Sequence, residues 1–187
     1  MKFFFVFLSF FVMPLSFPKC IYELDPKSPT VSWRAFKTPK KVGVDGRFSL
    51  VTIHTNVGAT IEDVLRGATF SVDVKSLTTG NPGRDDKILR SFFHSKEKIL
   101  TISGKVTEVT ASGTKVIFTI GGKESIVLMN TEILDGKVKL TGKVDVLSFG
   151  LSENLKAITD ACRVLHEGVT WPDVEIGLTA KFIHRCE

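Results

Sequence analysis

The sequence lacks most of the motifs that indicate catalysis. It has no glycine-rich phosphate loop and no His-x-x-x-His pair, which argues against nucleotide-dependent enzymes and the zinc hydrolases that use that pair. The Gly121-Gly122 pair follows one alternating segment and precedes another, so it predicts a hairpin and not a dinucleotide-binding turn. Neither His54 nor His94 has a Ser or Cys neighbour in a nucleophile motif. We therefore predict no catalytic residue, no cofactor and no enzymatic activity.

Long hydrophobic runs are also missing after the first 20 residues, and the one Tyr and two Trp contrast with 15 Phe. Many of these Phe lie in FFFVFLSFFVMPL, an apolar run of about 13 residues that is too short to span a bilayer but suits a secretory signal. We expect a signal peptide at 1–19, a mature domain at 20–187 and a periplasmic protein. Cleavage as a lipoprotein before Cys20 is the less favoured alternative, because Lys19 stands where lipoprotein signals carry a small residue.

The excess of basic residues is small. Lys and Arg number 25 against 20 Asp and Glu, for a formal charge of +5, and removing Lys2 and Lys19 with the leader would lower it to +3. The basic residues are scattered along alternating segments, which predicts a solvated surface and no nucleic-acid partner. A transient contact with anionic lipid headgroups stays open.

Apolar residues recur at every second position from Val31 onward, which is the period of strands with one buried face. The clearest segments are ATFSVDVKSL and GKVKLTGKVDVLSFG, and turn signals such as Ser112-Gly113 and Asp135-Gly136 fall between such segments. An antiparallel meander of this kind removes its exposed edges by closing into a barrel. The pattern predicts a single all-β domain that forms a closed antiparallel barrel.

Three segments break the period of two and predict short helices. Thr60 to Gly67 has a Thr-x-x-Asp start and a glycine stop, and Asp85 to Phe93 has apolar residues at helical spacing. The longest helix is predicted between Ser152 and Gly168, before the last strand, with one apolar stripe. The members of that stripe are Leu155, Ile158, Cys162 and Leu165.

The segment SLTTGNPGRDDKILRSFF, preceded by the alternating ATFSVDV, resembles the YceI-like family of exported lipid-binding proteins. The opening YELDPKSPTVSWRAF, followed by GVDGRF, is also similar to the start of that family. The family motif falls on Ser76, Thr79, Arg84, Asp85, Phe92 and Phe93. Lys87 and Ile88 depart from the His-Leu-Arg-Ser run of the commonest members, and the C-terminal segment CRVLHEGVTWPDVEI looks like a divergent branch of the family. The resemblance implies a lipocalin-like barrel whose tunnel takes an isoprenoid or another long-chain lipid.

A tunnel of this kind would gain roughly 0.8 kcal/mol for each ligand CH₂ removed from water. Its predicted lining residues are Val31, Trp33, Ala35, Phe70, Val72, Val74, Phe92 and Phe93. The alternative is that these side chains fill the interior themselves. In one interpretation Arg84 or Arg90 holds a polar or anionic lipid head. In the other, which we favour, Asp85 caps the helix and Arg84 closes a structural salt bridge.

The three cysteines allow more than one pairing. Export favours disulfides, and we predict a bond between Cys162 and Cys186 that pins the C-terminal end. A bond between Cys20 and Cys186 is feasible if the first and last strands are neighbours. A metal site formed by Cys162, His166, His184 and Cys186 is the least favoured interpretation in an oxidising compartment.

Taken together, these features predict a periplasmic carrier for an isoprenoid or fatty lipid. Two alternatives stay open. The first is an interaction or stress-response module whose barrel is filled, and the second is an enzyme that modifies such lipids. The sequence makes no prediction about oligomeric state.

Overall fold

The computed structural model describes residues 20–95, 98–110 and 112–186. The predicted signal peptide at 1–19 lies outside these described residues. None of the helices within them combines the length and the apolar character needed to cross a membrane.

The fold is mostly β with a few short helices, as the alternation predicts. Its strands, in chain order, are β1 (Cys20–Leu24), β2 (Thr30–Lys37), β3 (Val42–Phe48), β4 (Val51–His54), β5 (Thr69–Val72), β6 (Leu77–Thr78), β7 (His94–Ser95), β8 (Lys98–Ile99), β9 (Ile102–Thr110), β10 (Gly113–Ile120), β11 (Lys123–Leu134), β12 (Lys137–Asp145) and β13 (Thr170–Cys186). Apart from the small β7–β8 ribbon, these strands form one curled antiparallel sheet of 11 strands.

Within this sheet the order is β4-β5-β9-β10-β11-β12-β13-β2-β3-β6, and β1 pairs with β13 off this path. Strand β13 is the longest, with 17 residues. It pairs with β12 and β2 over most of its length and with β1 at its C-terminal end. It therefore ties the N-terminal strands to the C-terminal half of the sheet.

Two tight hairpins follow the predicted turn residues. Gly121 and Gly122 have φ values of 58° and 83° and join β10 to β11. Asp135 and Gly136, with φ values of 49° and 70°, join β11 to β12. Positive φ at both central residues matches the right-handed twist of the strands they connect, so the sequence signal and the backbone agree.

The helices are α1 (Ile61–Leu65), α2 (Pro82–Ile88), α3 (Ser152–Ala161) and α4 (Arg163–His166). Thr60 caps α1 as its sequence predicts, because its side chain accepts a hydrogen bond from the Asp63 amide. The second helix begins earlier than the predicted Asp85, because Asn81 caps it and Pro82 is its first residue. It continues into a π-helical turn, Leu89–Phe93.

The long helix predicted from Ser152 to Gly168 is interrupted. The chain leaves helical geometry at Cys162, where φ is −119° and ψ is 19°, so α3 and α4 are separate. Since Cys162 is neither Gly nor Pro, the sequence carries no signal for this break. The apolar stripe is nevertheless continuous across it.

The predicted disulfide between Cys162 and Cys186 is wrong: Cys186 is bonded to Cys20, and Cys162 is free and buried. The physical reason is strand pairing. Cys20 lies directly opposite Cys186 in the β1–β13 register, with a Cα–Cα distance of 4.0 Å, whereas Cys162 lies at the junction of α3 and α4. The bond joins the first and the last of the described residues.

Candidate ligand-binding cavity

The curled sheet and the helices enclose a cavity of about 650 Å³. This volume lies within the range of about 300 to 1,000 Å³ that is usual for small-molecule sites. The walls come mainly from apolar side chains of the sheet, and α2, α3 and α4 contribute further residues. Seven of the predicted apolar lining residues face this space: Val31, Trp33, Ala35, Phe70, Val72, Phe92 and Phe93.

The aromatic members of this wall are held by specific neighbours. Phe70 packs edge-on against Phe118 with ring centroids 5.2 Å apart, and Phe93 packs edge-on against Phe48 at 6.1 Å. Trp33 lies over Gly46 on the neighbouring strand, where any Cβ would come within 2.1 Å of the indole ring. Gly46 is therefore the residue that makes room for Trp33 in the wall.

Val74 does not line the cavity, although the alternation placed it beside Phe70 and Val72. Strand β5 ends at Val72, and the Asp73 carboxylate then accepts a hydrogen bond from the Lys75 amide and begins a 3₁₀ turn. Val74, which is 3% exposed, is instead buried within a core cluster behind the wall, together with Val72, Leu77 and Phe93. The period of two fails here because the strand is shorter than its sequence pattern.

Arg84, Asp85 and Thr79 form a small hydrogen-bonded knot. The Asp85 carboxylate accepts from both the amide and the hydroxyl of Thr79, and Arg84 donates from Nε to Thr79 Oγ1 at 2.8 Å and from Nη2 to Thr79 O at 3.0 Å. Asp85 does not line the cavity, and the predicted helix cap is instead Asn81, which accepts from the Arg84 amide at 3.1 Å. Arg84 does line the cavity.

Arg90 lies away from the cavity lining. Its guanidinium is exposed and pairs with Asp86 at 2.7 Å, one helical turn earlier. Ser76, another residue of the family motif, accepts a hydrogen bond from the Leu50 amide and donates to the Asp73 carbonyl at 2.6 Å. Much of the motif therefore holds the chain between β5 and α2 in place.

The helical wall of the cavity comes from the apolar stripe of α3 and α4. All four members of the stripe line the cavity: Leu155, Ile158, Cys162 and Leu165. The buried Asn154 side chain donates to the Phe92 carbonyl at 2.6 Å and fastens α3 to the π-helical turn. The sequence marked this stripe as the buried face of a helix but did not connect it with the ligand.

The cavity lining also contains four basic residues, which we call the basic rim: Lys37, Arg84, Lys87 and His166. Lys37 ends β2 and faces Thr170 on β13, and the Thr170 hydroxyl shares a hydrogen bond of 2.7 Å with His166 Nδ1. Burial, followed by the positive charges of Lys37 and Lys87, lowers the pKa of His166 below its ordinary value of 6.5. None of the described residues that line the cavity is an Asp or a Glu.

The four residues considered for a metal site do not come together. In the described part of the chain, the cluster of metal-binding residue types consists of Cys20, His184 and Cys186. The two sulfurs of this cluster are bonded to each other, so they are not available as thiolate ligands.

The protein is thus a β protein with a curled antiparallel sheet around an apolar cavity. The chain belongs to the YceI-like family: residues 22–182 match the model of the YceI-like domain. This match bears out the resemblance seen in the sequence.

Two solved structures show the same fold. One is a polyisoprenoid binding domain from Saccharophagus degradans implicated in plant cell wall breakdown, with 15% identity and a TM-score of 0.57, over 89% of this chain and 98% of that chain. The other is Burkholderia cenocepacia BcnA, with 14% identity and a TM-score of 0.58, over 86% of this chain and 99% of that chain. The sequence matches no curated relative.

Proposed function

We propose that this protein is an exported, periplasmic carrier that holds an isoprenoid or fatty lipid in its cavity and does not convert it. The observation that carries the proposal is the apolar cavity of about 650 Å³. Burying about ten CH₂ groups there would contribute roughly 8 kcal/mol before the costs of association. A long tail therefore needs no covalent or metal contact to be retained.

We further propose that the sheet closes into a barrel around this tail. Strand β3 is followed along the chain by β4, and β5 is followed by β6. Strand β3 pairs with β6, and β4 pairs with β5, so the two ends of the strand order lie next to each other. Two backbone hydrogen bonds bridge the gap, from Ser49 N to Ser76 O at 3.2 Å and from Asp73 N to Leu50 O at 3.1 Å. Since β3 also pairs with β2, and β5 with β9, these contacts support a continuous ring.

The alternative of a filled barrel is disfavoured by the size of the empty volume. Interiors normally pack as densely as organic crystals and leave few voids larger than a water molecule, so a cavity of this size argues for a ligand. The likeness to a polyisoprenoid binding domain supports the same class of ligand. The alternative of a lipid-modifying enzyme is less well supported, because the described lining is mostly apolar and contains no Asp or Glu that could act as a general acid or base.

Export agrees with the chemistry of the cysteines. A bond between Cys20 and Cys186 persists in an oxidising compartment such as the periplasm. In a lipoprotein, the Cys20 thiol would be acylated, but here that sulfur is bonded to Cys186. This pairing favours a mature domain that begins at or before Cys20 and carries no lipid anchor. Fractionation of cells into periplasm and cytoplasm tests this location directly.

The proposed function is tested by extracting the protein, purified without detergent, with organic solvent and identifying the extract by mass spectrometry. We expect about one lipid molecule per chain. Ala35→Trp places a large side chain in the cavity wall and should lower the lipid content severalfold. Thr179→Trp, on the exposed face of β13, is the matched control and should retain the lipid. Native protein that carries no lipid and takes none up from vesicles would refute the proposal.

A further inference from the structure

We infer that the ligand is an amphiphile with an anionic head, a carboxylate or a phosphate, which lies at the basic rim while its tail fills the cavity. This inference rests on the proposed function and narrows it to one class of ligand. From the sequence, Arg84 or Arg90 bound a lipid head only in the less favoured of two interpretations, whereas the structure assigns the role chiefly to Lys37 and Lys87.

The first argument is the sign of the charge. The charged side chains in the cavity lining are Lys37, Arg84 and Lys87, all basic, and His166 is beside them. The chain has 20 Asp and Glu residues, yet none belongs to the described lining. A wall with three positive charges and no compensating carboxylate has a positive potential that favours an anion.

The second argument is the position of these charges along the cavity. Val31, Trp33, Ala35 and Lys37 stand at alternate positions of β2 and all belong to the cavity lining, so a track of apolar side chains is followed along this strand by a lysine. His166 on α4 is linked to Lys37 by geometry, since it shares a hydrogen bond with Thr170, the residue opposite Lys37. The charge of Lys87 on α2 acts on the same histidine. An extended tail along the track would bring its head between Lys37 and Lys87.

The third argument is that the rim lysines are unpaired. Among the described residues, neither Lys37 nor Lys87 takes part in an ion pair, whereas their neighbours do. Lys41 pairs with Asp173 at 2.8 Å, and Arg90 pairs with Asp86 at 2.7 Å. Arg84 is fixed in orientation by its two hydrogen bonds to Thr79. Two free ammonium groups beside one fixed guanidinium can bind an anionic head by charge-assisted hydrogen bonds.

The test compares matched pairs of ligands on delipidated protein at pH 8 by titration calorimetry. Hexadecanoate is compared with hexadecanol, and farnesyl phosphate with farnesol, so that only the head differs within a pair. We expect at least one anionic ligand to bind about tenfold more tightly than its neutral partner. The preference should shrink in 1 M salt, where the Debye length is about 3 Å. The pair with the larger ratio identifies the head as carboxylate or phosphate.

The variant Lys37→Gln/Lys87→Gln should bring the ratio of anionic to neutral affinity close to one. Lys105→Gln/Lys137→Gln removes two exposed lysines outside the cavity and should keep the wild-type ratio. If the double rim variant fails to fold, Lys87→Gln alone, at an exposed position of α2, should lower the ratio about threefold.

The outcomes separate the inference from the proposed function. Binding of all four ligands with equal affinity within each pair would overturn the anionic head and leave the carrier function standing. A preference that survives Lys37→Gln/Lys87→Gln would overturn the assignment to the rim lysines. Failure to bind any of the four ligands would overturn both proposals.

Discussion

At the scale of single residues, Thr79 links Arg84 and Asp85 through hydrogen bonds. Its hydroxyl donates to Asp85 and accepts from Arg84 Nε, so both lose a partner if it is removed. We expect Thr79→Val to lower the free energy of unfolding by about 1 to 3 kcal/mol, measured by urea denaturation. Thr52→Val, at an exposed position of β4, should change it by less than about 0.5 kcal/mol. Equal effects of the two substitutions would show that the knot contributes nothing specific.

The lowered pKa of His166 should make the free energy of unfolding depend on pH. Burial and the charges of Lys37 and Lys87 lower its pKa in the folded protein, so below about pH 6.5 the unfolded chain binds more protons at this site than the folded one. The free energy of unfolding should therefore fall as the pH drops below about 6.5, and this contribution should vanish above about pH 7.5.

The effect is measured by urea denaturation at pH 5, 6, 7 and 8. His166→Asn should flatten the decline between pH 7 and pH 5, because it removes the group that resists protonation in the folded state. His54→Asn, at an exposed position of β4, serves as the control and should keep the wild-type slope. A slope that is the same in His166→Asn as in the wild type would contradict the prediction.

At the scale of secondary-structure elements, the disulfide fixes β1 against the end of β13. It links residues 166 positions apart, and closing so long a loop in the unfolded chain accounts for up to about 5 kcal/mol. We expect Cys20→Ser/Cys186→Ser to lower the free energy of unfolding by about 2 to 5 kcal/mol. Denatured protein that has not been reduced should show one reactive thiol, from Cys162. A peptide that contains Cys162 joined to Cys186 in a nonreducing digest would refute the pairing.

The strands were predictable because alternation and turn chemistry agree. Val138, Leu140 and Val144 are buried at alternate positions of β12, and the hairpin before them has the Asp135-Gly136 turn that the sequence indicates. The breaks were not predictable. The turn at Val74 begins at the local Asp73 cap, which alternation does not reveal, and the interruption at Cys162 falls at a residue that carries no breaking signal.

The disulfide shows the same limit for long-range contacts. Cys20 and Cys186 are each one residue in a strand, and only the register of β1 on β13 brings them face to face. Similarly, Lys37 and Lys87 belong to different elements and look like ordinary surface lysines in the sequence. Their shared place in the cavity lining depends on the tertiary fold, which brings β2 and α2 to the same cavity.

At the scale of the whole molecule, the sequence predicted the apolar wall of the cavity better than it predicted the basic rim. The resemblance to the family and the alternation together placed Trp33, Ala35 and Phe70 in the wall. Arg90, which one interpretation of the sequence placed at the lipid head, pairs with Asp86 and is not part of the cavity lining. Periodicity identifies the inner face of a strand, but the rim is formed by side chains from three separate elements.

The cavity also predicts that ligand binding stabilises the whole fold. A ligand that binds only the folded state adds about 2.7 kcal/mol at a free concentration of 100 times its Kd, which corresponds to a rise in Tm of about 5 to 10 °C for a domain of this size. We expect farnesol, which is neutral and tests the tail alone, to raise the Tm of delipidated protein by this amount in calorimetry. Ala35→Trp should abolish the shift and Thr179→Trp should keep it. A Tm that farnesol leaves unchanged in the wild type, or raises equally in Ala35→Trp, would mean that the tail does not occupy the cavity.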